Sequence, residues 1–115
     1  MSYYSEVAIA VKKTDYDKVI EAAKVTPLIK DEVIRKDYLK FLNGNSITTS
    51  KQRDDVCIIH WNWVQWHKTF GEYTEKLLEP YEYDFVRIGE EYGDIVYEST
   101  DEPCIEPVST IEEVL

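Results

Sequence analysis

Beyond residue 70 the chain has almost no basic side chains. Residues 71–115 hold 2 Lys/Arg and 14 Asp/Glu, a net charge of −12, whereas residues 1–70 hold 11 and 9, a net charge of +2. A half so poor in cations repels nucleic acid and anionic membrane alike. Cysteine is also scarce. Cys57 and Cys104 make no disulfide framework. No apolar run approaches the length of a bilayer crossing, and no charged-then-apolar leader opens the chain. A cytoplasmic protein with reduced thiols is therefore expected. The P-loop, the dinucleotide fingerprint and the nucleophile elbow are all missing. These gaps point away from an enzyme and from a cofactor.

What is present suits a folded domain. The chain has 115 residues, of which 43% are hydrophobic and 13% aromatic. That length fits one domain able to bury a core. Residues 1–100 are expected to form a single α+β domain. Residues 101–115 form an acidic tail or a short helix, capped by Ser109 with Glu112 or by Thr110 with Glu113.

The opening "YYSEVAIAVK" alternates: Val7, Ile9 and Val11 share one face, and Glu6, Ala8 and Ala10 share the other, as in a strand. In "KTDYDKVIEAAK", Tyr16, Val19, Ile20 and Ala23 fall at helical spacing, which predicts a helix over 14–24 with Thr14 as its cap. Residues 28–42 mix both rhythms and read as a short helix followed by an extended piece. Asn43-Gly44 marks a turn. "NSITTSKQRDD" reads as a loop with a weak edge strand.

"VCIIHW" (56–61) reads as a buried strand, with Cys57, Ile59 and Trp61 on one face and Val56, Ile58 and His60 on the other. From Trp63 the period changes. Trp63, Trp66, His67 and Phe70 fall at i, i+3, i+4 and i+7, which predicts a helical turn ended by Gly71. "EYTEKLL" reads as another helix, stopped by Pro80. "YEYDFVRI" and "IVYES" read as a hairpin around "GEEYGD". The resulting expectation is an antiparallel sheet with two helices on one face, ferredoxin-like (βαββαβ) or a variant, whose other face and edge are open to pairing.

"YYSEVAIAV", "IIHWNWVQWH" and "YDFVRIGEEYGDI", in this order, resemble segments of small proteins encoded by bacteriophages and prophages. Those proteins share a tyrosine–serine–acidic–valine–alanine strand, a tryptophan-rich middle and a phenylalanine–valine–arginine–isoleucine–glycine–acidic turn. The resemblance covers most of the chain outside roughly residues 25–55 and the tail. It implies a viral origin and an accessory role, and it transfers no active site.

The stretch from Cys57 to Phe70 holds all three tryptophans and both histidines. Cys57 and His60 lie on opposite strand faces, so they do not share a zinc, and no metal site is expected. A base-stacking platform needs a basic groove, which this region lacks. The tryptophans therefore read mainly as core, with Trp61 buried and Trp66 or His67 partly exposed. Arg87 is expected to pair with a neighbouring carboxylate.

Two functions fit this pattern. The first is a phage-encoded inhibitor of a host protein with a basic surface, such as a restriction or CRISPR nuclease in the host cytoplasm. Its carboxylates would stand in for phosphates. Neither nucleic acid nor membrane is then bound directly. The candidate contact residues are Glu72, Glu75 and Glu79 on the second helix, Asp84 on the next strand, and Glu90, Glu91 and Asp94 at the hairpin turn. The second is a homodimer or adaptor of phage development without catalytic activity, using its tyrosines as contacts. Net acidity by itself also serves solubility.

Overall fold

The structure is a computed structural model and describes residues 4–99 except 52, 67 and 68. β1 (Ser5–Lys12) runs without a linker into α1 (Lys13–Val25). α2 (Glu32–Phe41), β2 (Ser46–Thr49), β3 (Val56–Val64), α3 (Thr69–Leu78), β4 (Tyr83–Gly89) and β5 (Ile95–Ser99) follow. The strands form one antiparallel sheet in the order β2-β3-β1-β4-β5. The molecule is thus α+β, with five strands and three helices among the described residues. The expected βαββαβ plan does not match as it stands, because a third helix is present and a fifth strand extends the strand order.

α2 is the main correction to the local reading. The segment expected to begin helical and end extended is one helix up to Phe41. Its start is set by Asp31, whose carboxylate accepts from Val33 N–H at 2.7 Å and Ile34 N–H at 3.2 Å. Val33 and Ile34 mislead the alternation count because they are apolar yet exposed. The residues that face the core are Tyr38, Phe41 and Leu42, at i, i+3 and i+4. The Arg35 guanidinium then staples the preceding turn. It donates to the carbonyls of Ala23 (2.8 Å) in the last turn of α1, Thr26 (3.1 Å) at its C-cap and Ile29 (2.5 Å) in the connection that follows.

α1 forms where expected, with Val19 and Ala23 buried on its inner stripe. Thr14 does not cap it. The helix follows the strand directly, and Lys13 N–H instead donates to the Asp55 carbonyl at 2.8 Å. The Tyr16 hydroxyl donates to the Leu42 carbonyl at 2.8 Å and so ties α1 to the end of α2. Gly44 makes the turn into β2 with φ +59°. A side chain there would also meet the His60 carbonyl.

The helices cover one face of the sheet. Val7, Ile9 and Val11 of β1, Cys57, Ile59 and Trp61 of β3 and Phe85 of β4 pack there with Val19, Trp66 and Leu78. The parity expected for β1 and for the start of β3 is therefore correct. The opposite face is not the open surface anticipated: Ala8, Ala10, Val56, Ile58 and Val86 are all buried. On that face His60 Nε2 lies 2.7 Å from Glu6 Oε2, across the β1–β3 pair. The edge strand β2 exists, and all four of its residues are exposed.

Cys57 sits in the first of these cores, and burial pushes its thiol up to about 11. The folded state therefore holds this proton more tightly than the unfolded chain, where the value is 9.0. Its contribution is complete below about pH 9 and is lost as pH rises towards 11, at up to about 1.4 kcal/mol per pH unit. The melting temperature of Cys57→Val should fall less steeply between these pH values than that of the parent protein. Parallel curves would show that the thiol does not titrate on unfolding.

Candidate functional site

β3 carries one residue more than its partner needs. Ser5 pairs with Val64 and Val7 with Trp61, so two steps along β1 match three along β3. Such a bulge inverts the alternation beyond it. Its amide is held by a side chain: Asn62 N–H donates to Asn45 Oδ1 at 2.7 Å. Past the bulge, Val64 packs onto the helix-side core. Trp63 is thrown outward and is 60% exposed. The helical turn expected from Trp63 is thus the end of a longer strand. Of the two alternatives for a partly exposed residue, Trp66 is 2% exposed, and His67 lies outside the described residues.

Trp63 does not stand alone. Its ring stacks on Tyr4, with centroids 5.7 Å apart and planes 3° from parallel. Both rings border an open cleft of about 380 Å³, completed by Phe41 from α2, Phe70 from α3, and Val64 and Gln65 from the end of β3. Four of its six lining residues are therefore aromatic. Phe41 also belongs to the core ring cluster, 5.3 Å from Trp61 and 5.8 Å from Trp66, so this wall of the cleft is rigid. One lining residue is tied to a carboxylate through its backbone: Glu90 Oε1 accepts from Tyr4 N–H at 3.3 Å. Glu90 arrives there because β4 pairs with β1 and brings Gly89 opposite Ser5.

The carboxylates named from sequence are distributed unevenly. Glu72 and Glu79 are exposed, Glu75 is half-buried, and Glu79 lies just past the end of α3. Glu90 and Glu91 are exposed in the β4–β5 turn. Asp94 is half-buried and holds Arg87 through two contacts, at 3.1 and 3.2 Å, as expected for that arginine. Asp84 is a correction. It is 0% exposed on an interior strand, so it takes no part in an exposed acidic surface. Glu75 and Glu79 come together with Glu98. Burial first, then the charges of Glu98, Glu75 and Glu79, raise the Tyr83 hydroxyl above its ordinary range. Glu98 lies on β5, beyond the turn residues, and no local motif singles it out. Only the pairing of Phe85 with Glu98 brings it beside β4.

The residues weighed as metal ligands lie apart. Cys57 is buried on the helix side, while His60 is held by Glu6 on the other face. Cys104 lies outside the described residues, as does the proposed last helix. Among the described residues, no helix is long and apolar enough to cross a membrane.

No family model, curated protein or solved structure matches this chain.

Proposed function

We propose that the chain is a non-catalytic, phage-encoded binding protein whose acidic side occupies a basic nucleic-acid-binding surface of a host protein, such as a CRISPR or restriction nuclease. The observation that carries the reading is an imbalance of exposed charge. Within residues 71–99, Glu72, Glu79, Glu90, Glu91 and Glu98 are exposed, while Arg87 is buried against Asp94, which leaves Lys76 as the exposed cation. These carboxylates sit on or beside a helix and a sheet, so their charge is held in place rather than averaged over a flexible chain. Complementary charge of this kind raises association rates and selects partners. As for the scaffold, the strand sequence β2-β3-β1-β4 supports a ferredoxin-like variant extended by α2 and β5.

The test is capture from host lysate followed by kinetics on the purified partner. Glu72→Lys, Glu79→Lys and Glu91→Lys together should slow association at least about tenfold, because rim charges act mainly on the on-rate. The same reversal at Asp17, Glu21 and Asp37, also exposed, should change it little. Equal effects of the two triple substitutions would remove the acidic side from the account. The adaptor reading keeps one observation in its favour: Ile95 and Tyr97 are exposed on the edge strand β5. Self-association in sedimentation that Tyr97→Glu abolishes would favour it.

A further inference from the structure

We propose that the cleft bordered by Tyr4, Phe41, Trp63, Val64, Gln65 and Phe70 receives an arginine side chain of a protein partner. This rests on the reading of a basic partner given above and assigns it a specific anchor.

Three features of the cleft select that occupant. The first is its shape and lining. An open cleft of about 380 Å³ with four aromatic lining residues has room for one side chain that carries a planar group. A guanidinium is planar, weakly hydrated and stacks on aromatic faces, unlike a lysine ammonium. The second is charge. Glu90 is bonded to the backbone of Tyr4, a lining residue, and Glu91 is exposed in the same turn. A cation entering there moves towards carboxylates, whereas a nucleic acid would bring phosphates against them. The third is the exposure of Trp63. A large aromatic side chain that is 60% exposed is poorly explained by the fold, since Trp61 and Trp66 already fill the core. The bulge that turns it outward is held by the Asn45 contact, and its stack on Tyr4 fixes the ring before any partner arrives. A rigid aromatic next to a carboxylate matches the anchors that dominate interfaces, where tryptophan, tyrosine and arginine recur.

The experiment uses the full chain and three probes: a short capped peptide carrying two arginines, the same peptide with citrulline in their place, and an oligothymidylate. Trp63 is the exposed tryptophan, so its emission reports occupancy, and heats of binding provide a reading that survives its removal. The arginine peptide should bind saturably, and the citrulline peptide roughly tenfold more weakly, the scale of one desolvated cation–π contact. Trp63→Ala should weaken the arginine peptide by a similar factor, Trp63→Phe should restore part of it, and the urea midpoint of both should stay near that of the parent. Equal affinity for citrulline, tighter binding of the oligothymidylate, or no saturable binding at millimolar peptide would each overturn the proposal. Loss of peptide binding on Trp63→Ala, with no response to lysine at Glu72, Glu79 and Glu91, keeps the cleft and removes the wider acidic surface. The opposite pattern removes the cleft alone.

Discussion

Replacing Gly71 with alanine should destabilise the protein by at least about 3 kcal/mol, the upper range of overpacking costs. Helix propensity predicts the opposite sign. Gly71 lies inside α3, where alanine is ordinarily favoured over glycine by about 1 kcal/mol. The surroundings decide the outcome. A Cβ at Gly71 would stand 1.9 Å from the Trp66 carbonyl oxygen and 2.9 Å from its indole ring. The nearest atom is backbone, so no rotamer change relieves the clash. Either the start of α3 or the chain at Trp66 must move, and Trp66 is packed on Trp61, Phe41 and Phe85. Urea unfolding of Gly71→Ala measures this. A midpoint at or above that of the parent would mean that α3 does not dock on Trp66 in this way.

Trp61→Ala should cost roughly 3–5 kcal/mol, as truncation of large buried aromatics does. Trp61 is 5% exposed at the centre of the helix-side core. Its ring stacks on Phe41 at 5.3 Å and meets the edge of Trp66 at 5.2 Å. Its Nε1–H donates to the Phe41 carbonyl at 2.8 Å, at the last residue of α2. Truncation therefore leaves a cavity and also strips a donor from a helix-terminal carbonyl. Trp61→Phe should recover the packing but not the hydrogen bond, and should fall between. An unchanged melting temperature in Trp61→Ala would contradict the placement of β3.

Elements that depend on one period were legible in the sequence. β1 alternates because Val7, Ile9 and Val11 face the helices while the small Ala8 and Ala10 face the other side, and the first half of β3 reads as one apolar run because both of its faces are buried. α1 shows its stripe because Val19 and Ala23 are its only fully buried residues. The hairpin of β4 and β5 was legible from its turn, where Gly93 adopts φ +83°. The failures share a cause: the deciding partner is distant in sequence. The extra residue in β3 is visible only against β1, and without it Trp63 counts as helical and Trp66 remains a candidate for partial exposure. α2 was obscured because its Asp31 cap competes with alternation from Val33 and Ile34, which touch no core. Asp84 looked like one of many surface carboxylates, and only the interior position of β4 buries it. The cleft was not legible at all. It combines Tyr4 from before the first strand, Phe41 from α2, and Phe70 from α3, and nothing local links them.

The central claim is that the charge of residues 71–99 is used for binding. The association rate of a captured partner as a function of ionic strength tests it most directly, for the parent chain and for the Glu72→Lys, Glu79→Lys, Glu91→Lys variant. Exposed charges are screened within about 10 Å at 0.1 M salt. The parent rate should therefore fall steeply with added salt, and the variant should begin slower and respond weakly. Two superimposable, salt-insensitive curves would contradict the claim.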